Sequence, residues 1–169
     1  PYGMKGHFLP IIPRDLRLEV GERMDYAGRT LIPLNESSVR EACKKLLDQG
    51  VESVVVHFLH AYANPEHELR AAEILAEFWP NEYITTGHSL LSESREFERG
   101  VTAAVNAAVQ PILKRYINKL DSELEAEGYA GELLVMNGNG GTVSAKRVIR
   151  EAAKTVMSGP ASGVIAAAY

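Results

Sequence analysis

Two glycine-dense stretches hold the residues best suited to contacting an anion. The first, Asn137-Gly138-Asn139-Gly140-Gly141, follows the apolar run Leu133 to Met136. Glycines let backbone amides approach a phosphate closely, and open α/β sheets place ligands beyond the carboxyl ends of their strands. The specific phosphate fingerprints do not fit. No Lys-Ser/Thr pair follows at P-loop spacing, and Val143 stands where a dinucleotide pattern needs glycine. Glycine content alone leaves both a tight structural turn and a phosphate or substrate contact open. In the second stretch, Ser158-Gly159-Pro160-Ala161-Ser162-Gly163, Pro160 suits the first turn of a helix, and the amides of Gly159 to Gly163 could face an anion. Ser162 is not expected to be a nucleophile, because Pro160 occupies the position where the nucleophile elbow requires glycine. The candidate cofactor- or substrate-lining residues are therefore Asn139, Gly140, Gly141, Ser158, Gly159 and Gly163.

The other chemistry-bearing groups carry weaker patterns. Among five histidines, His57 and His60 fall three apart on an expected strand, so their side chains point to opposite faces. His67 lies between Glu66 and Glu68 in a first helical turn, with no second ligand at chelating spacing. No metal site is expected. Glu93, Glu96 and Glu98, flanked by Arg95 and Arg99, could perform acid–base work, but they read first as acids at a helix start paired with nearby arginines. No catalytic residue is assigned from these patterns.

The elements that must position these groups alternate between helix and strand. Residues 1–13 carry Pro1, Pro10 and Pro13 and read as an extended surface segment. Leu16, Leu18 and Val20 alternate with polar residues, predicting a strand, and a second strand over residues 30–34 would close a hairpin through Ala27-Gly28. The spacing of Val39, Ala42, Cys43, Leu46 and Leu47 predicts an amphipathic helix over residues 35–50, capped by Asn35 or Ser37 and ended by Gly50. Cys43 lies inside that stripe and reads as a small core residue. A buried strand is expected over residues 53–60, a helix from Asn64-Pro65 to Trp79-Pro80, and a short strand over residues 83–86. This order is that of a parallel sheet with crossover helices. After a polar loop, a long helix spans about residues 95–127, and Pro111 is expected to kink or split it near Val109. A buried strand over residues 132–136, a helix over 145–153 and a last helix over 161–169 complete the chain.

The 169 residues suffice for one well-buried domain or a piece of a larger one. Apolar residues at 46% and charged residues at 24% describe an ordinary globular balance rather than a disordered chain. A net charge of −4 argues against broad binding to nucleic acid or anionic lipid. The single cysteine excludes an internal disulfide, and no apolar stretch nears the roughly 18 residues that span a bilayer. A cytoplasmic α/β protein is expected. Because the chain opens at Pro1 and stops at Tyr169 within an apparent helix, an internal fragment is expected, with residues 1–34 as extended segment and hairpin and residues 35–169 as the α/β unit.

Several collinear segments resemble the hydantoinase A/5-oxoprolinase family. They are Pro13-Arg14, Glu19 to Arg23, Gly50 to Tyr62, Asn64 to Glu68, Ser94 to Arg99, Thr102 to Pro111, Val135 to Gly141 and Ser158 to Gly163. The resemblance implies one lobe of an actin-like ATPase, the fold of sugar kinases and heat-shock chaperones, with a mixed sheet and crossover helices. It implies ATP and Mg as cofactors of the parent protein, with none bound to this piece, and an enzyme that opens a cyclic amide such as a hydantoin or 5-oxoproline after phosphorylating the amide oxygen. A hydantoinase B-type subunit or domain would be the partner; a related ketone carboxylase, with this chain as an assembly module, is the alternative. The family's two phosphate hairpins would lie before residue 1 and after residue 169, and Ser158 to Tyr169 would be the helix connecting the lobes. Gly100-Val101-Thr102 stands where the family often carries Thr-Ser-Thr, and Gly138 where it usually carries Ser.

Overall fold

The structure, a computed structural model, describes residues 10–168. A single 3-10 turn, Arg14–Leu16, opens it. Leu16, Leu18 and Val20 do not form the expected strand; Leu16 ends the 3-10 turn, Leu18 and Val20 run on without a ladder, and all three pack on the core formed by the first two helices. Period-two alternation reports one-sided burial of an extended chain, and that burial needs no pairing partner. The hairpin forms further on, with β1 (Arg23–Met24) antiparallel to β2 (Thr30–Ile32). Its turn is built by Asp25, whose Oδ1 accepts from the Ala27 and Arg29 amides at 2.9 Å each, and by Gly28 at φ +76°.

Helix α1 (Glu36–Asp48) is capped by Asn35, whose side chain accepts from the Ser38 amide at 3.1 Å; Gly50 adopts φ +71° just beyond its end. Val39, Cys43 and Leu46 are its buried face. Strand β3 (Val54–Val56) is shorter than expected and pairs in parallel with β4 (Ile84–Thr86), register Val54 to Ile84. The crossover between them carries α2 (Glu66–Ala76), so the anticipated strand–helix–strand unit is present. Val54, Val56, Ala71, Ile74, Leu75 and Trp79 join the α1 face in one apolar cluster.

Within the loop after β4 lies a one-turn helix, α3 (Gly87–Leu90). Helix α4 (Glu96–Ala126) then runs unbroken through Pro111, so of the expected kink or split the split does not occur. Proline removes one backbone donor there. Ala103, Ala104, Ala107, Pro111 and Ile117 are all buried, so packing on both sides of the proline holds the helix together.

Beyond α4, β5 (Leu134–Met136) is not the buried strand expected: Leu134 is exposed, and β5 pairs only with β6 (Thr142–Ser144), antiparallel. The helix expected over residues 145–153 divides into α5 (Ala145–Arg150) and a 3-10 turn, Ala152–Thr155. Helix α6 (Ser158–Ala167) begins at Ser158 itself, after Met157 at φ +66°. The second core gathers Ile117, Ala145 and Val148 against Leu113, Leu133, Val135 and Val143. Both strand directions of a mixed α/β fold occur, and among the described residues they form three two-stranded ladders. None of the described helices is long and apolar enough to cross a membrane.

Candidate functional site

The glycine stretch Asn137 to Gly141 is the turn of the β5–β6 hairpin. The Asn137 amide donates to the Gly141 carbonyl at 2.8 Å, and the Gly140 amide to the Asn137 carbonyl at 3.0 Å. The Gly141 amide donates to Asn139 Oδ1 at 3.0 Å, and the Gly138 amide reaches across to the Lys154 carbonyl at 2.7 Å. A side chain at Gly138 would run into the Val156 carbonyl oxygen, so this residue is glycine for close backbone approach. Gly140 sits at φ +85°, and a Cβ there would lie 2.7 Å from Ile165 Cδ1.

That contact brings the two glycine stretches together, because Ile165 belongs to α6. Ser162 Oγ, held 2.7 Å from the Ser158 carbonyl, also lies 2.8 Å from Met136 Sδ on β5. Asn139, Gly141, Gly159 and Gly163 are exposed on this side, while Gly140 and Ser158 are half-buried. Cβ atoms built on Gly159 and Gly163 meet nothing within 4 Å.

The hairpin turn by itself offers no phosphate cradle. Four amides of the hairpin turn are consumed by internal hydrogen bonds, leaving no cradle of free donors for a triphosphate. No group of three possible metal ligands occurs among the described residues.

A second polar site lies at the carboxyl ends of the parallel pair, where α/β sheets place ligands. Glu68, in the first turns of α2, is fully buried. Its Oε1 accepts from the Phe58 amide at 2.8 Å; its Oε2 accepts from the His88 amide at 2.9 Å and stands 2.7 Å from His88 Nδ1. His57, the residue after β3, holds its Nδ1 3.8 Å from Glu68 Oε1. Arg99, on the first turns of α4, is also fully buried and donates to the Glu93 carbonyl at 2.8 Å and the Phe58 carbonyl at 3.0 Å. The guanidinium also lies over the Tyr62 ring, 5.7 Å from its centroid.

Burial alone would raise the Glu68 carboxyl, but the hydrogen bonds from the His88 side chain and from the His88 and Phe58 amides outweigh it and hold the carboxyl below its ordinary value. Burial likewise pushes the His57 imidazole below its ordinary value, against the pull of the Glu68 charge.

Sequence reading took Glu68 and Arg99 only as charges at helix starts and did not single out His88. A signal was nevertheless present. Glu68 shares its helical face with Ala71 and Leu75, and Arg99 shares one with Ala103, Asn106 and Gln110, so each charge interrupts an apolar or small-residue stripe. Glu93, Glu96 and Glu98 divide differently: Glu98 pairs with Arg95 at 3.1 Å on the surface, whereas Glu96 faces His60 at 3.9 Å.

Comparison with known proteins decides the family. A family model of the hydantoinase/oxoprolinase N-terminal region matches residues 3–79, and the hydantoinase/oxoprolinase model matches residues 99–169. The chain belongs to the hydantoinase/oxoprolinase family. Among the similar proteins, the acetophenone carboxylase gamma subunit of Aromatoleum aromaticum is 35% identical over 95% of this chain and 22% of its own length. The caprolactamase subunit alpha of Pseudomonas jessenii is 31% identical over 90% of the chain and 22% of its length, and 5-oxoprolinase 1 of Arabidopsis thaliana 28% identical over 81% and 11%. Nucleotide-free acetone carboxylase superposes with a TM-score of 0.83 at 32% identity, covering 96% of this chain and 23% of that one. The ATP-dependent caprolactamase of Pseudomonas jessenii superposes at 0.77 with 29% identity, covering 85% and 22%. The chain thus spans less than a quarter of these proteins. Its fold in the family is the mixed α/β arrangement of an actin-like ATPase lobe.

Proposed function

We propose that this chain is the central part of an ATP-dependent cyclic-amide hydrolase, which opens a hydantoin, 5-oxoproline or lactam ring in the cytoplasm. The observation that supports this is the collinear likeness along nearly the whole chain to a caprolactamase subunit, in sequence and in backbone, within a family that also holds 5-oxoprolinase. Both named activities concern cyclic amides. An amide carbonyl is a poor electrophile, which gives the expenditure of ATP its chemical purpose.

In this reading the nucleotide and Mg are gripped outside the described residues. The chain contributes the lobe, with residues 1–34 as extended segment and hairpin and residues 35–169 as the α/β unit. The β5–β6 turn and α6 line the cleft through Asn139, Gly140, Gly141, Ser158, Gly159 and Gly163. A hydantoinase B-type subunit or domain completes the enzyme.

The test uses the whole protein with its partner subunit, ATP and Mg, measuring phosphate release in the presence of hydantoins, 5-oxoproline and lactams. Ring opening coupled to phosphate release is expected, and the 169-residue chain by itself should turn over no ATP. A chain that hydrolyses ATP unaided would overturn the division of labour.

A second reading rests on the 35% identity to an acetophenone carboxylase subunit and the 0.83 TM-score with acetone carboxylase. There the chain is an assembly module of a ketone carboxylase. Phosphate release driven by ketone and bicarbonate, and by no cyclic amide, would establish that reading instead.

A further inference from the structure

Helix α4 is apolar on two sides. Ala103, Ala107, Pro111 and Ile117 are buried against the chain's own core. On the opposite side stand Val101, Val105, Ala108, Val109, Ile112 and Tyr116, within one arc of roughly 100° at 3.6 residues per turn. Ile112 is 64% exposed and Tyr116 61%; Ala108 is exposed and the three valines are half-buried. A helix with apolar residues all round is one that is covered in its working state.

The pattern on this outer face is symmetric. The intervals between its six apolar residues are four, three, one, three and four, which read the same in both directions. The ends carry opposite charges on the same arc: Glu98 three residues before Val101, and Lys119 three after Tyr116. Both are exposed, and among the described residues each pairs only with a neighbour on its own side, Glu98 with Arg95 at 3.1 Å and Lys119 with Glu123 at 3.7 Å. Exposed pairs of this kind contribute little, so they are free to exchange partners.

We propose that this face of α4 is a two-fold interface whose occupant is α4 of a second copy of the chain, antiparallel and centred between Ala108 and Val109. That register sets Ala108 opposite Val109, Val105 opposite Ile112 and Val101 opposite Tyr116. Each pair puts a smaller side chain against a larger one, which is how facing layers interdigitate. Glu98 then faces Lys119 of the second copy at both ends, and Arg95 and Glu123, just outside them, repeat the match. The small residues at the centre allow close approach of the two helices, and from Glu98 to Lys119 the contact runs roughly 32 Å at 1.5 Å per residue. A partner of unrelated sequence gives no reason for mirrored spacing or for opposite charges at the two ends. A two-fold axis does, because each half of an isologous face must fit the other half of the same face. The inference stands apart from which ring, if any, the enzyme opens.

The test is sedimentation velocity of the whole protein over a concentration series. Wild type should be a dimer that dissociates on dilution. Glu98→Lys and Lys119→Glu should each weaken association by about 10-fold or more, because each turns two attractive contacts into two repulsions. Combining them should restore the wild-type dimer. A wild-type protein that stays monomeric at every concentration would overturn the proposal; so would single variants that dimerise as wild type, or a double variant no better than the singles. Ile112→Asp separates the other occupants, and a folded monomer is its expected product. Unfolding would show that another part of the same polypeptide covers the face, and a dimer that persists while a partner subunit is lost would assign the face to that subunit. Either result overturns the two-fold pairing.

Discussion

The side-chain oxygen of Asn106 accepts a hydrogen bond from the backbone N–H of Ala153 at 3.0 Å, across 47 residues of sequence. The same side chain donates from Nδ2 to Thr85 Oγ1 at 3.1 Å and to the Arg150 carbonyl at 3.2 Å. One buried amide on α4 thus ties the end of β4 to the segment between α5 and α6. It connects the unit that carries the Glu68–His88 contact to the unit that carries the glycine turn.

Removing that amide should loosen both units. Asn106→Ala removes three hydrogen bonds made by a buried amide, including those to the part-buried Ala153 N–H and Arg150 carbonyl, each worth about 0.5–1.5 kcal/mol. Thermal unfolding should shift down by several degrees, since about 1 kcal/mol corresponds to roughly 2–4 °C in a chain of this size. An unchanged melting temperature would show that water replaces the amide.

His57 fills space that two glycines leave vacant. A Cβ on Gly100 would lie 3.1 Å from both His57 Cδ2 and Nε2, and one on Gly87 would lie 2.7 Å from Nδ1. Gly100→Ala should therefore destabilise the protein by about 1–3 kcal/mol through overpacking. In a His57→Ala background the same substitution should cost much less. Equal costs in the two backgrounds, measured by denaturant melts, would disprove the steric coupling.

Acid should weaken the fold in two stages. Both His57 and Glu68 have folded-state values below their ordinary ones, so the unfolded chain binds more protons and stability rises with pH. His57 contributes stability that is fully present above its unfolded value of about 6.5 and lost as pH falls through the lower folded value. Glu68 does the same below its unfolded value of about 4.3. Unfolding free energy measured against pH should show both declines, and His57→Phe should abolish the upper one.

The glycines of the candidate cleft fall into two groups. Gly140→Ala should destabilise by about 1 kcal/mol or more, because φ +85° is strained for any side chain and Ile165 occupies the space. Gly159→Ala and Gly163→Ala meet no obstruction and should stabilise α6 by about 0.5–1 kcal/mol each. Lost ring-opening activity in either stabilised variant would mark its position as part of the cleft; full activity in both would remove them from it.

Local chemistry was legible wherever the signal is local. Asn35 before α1 and Gly50 after it, the apolar stripe through Val39, Cys43 and Leu46, and the parallel strand–helix–strand unit from Val54 to Thr86 all follow from periodicity, capping and chain order. These depend on residues within a few positions of one another, which a linear reading samples directly. The polar or apolar alternation at Leu16 to Val20 was equally plain, but it records a face against a core and cannot say whether a partner strand exists. Continuity of α4 through Pro111 was likewise beyond it, since packing from β4 and the α5–α6 segment offsets a local defect.

The sequence by itself determined the family, through the order of eight short segments, and the α/β class, through alternating helical and strand periods. Only the tertiary structure decided that Glu68, an ordinary first-turn acid by its local setting, is buried against His57 and His88. The reason is that a carboxylate's role depends on what surrounds it in space. Its two imidazole neighbours come from the ends of two different strands, 11 and 20 positions away, which are brought together when β3 and β4 pair.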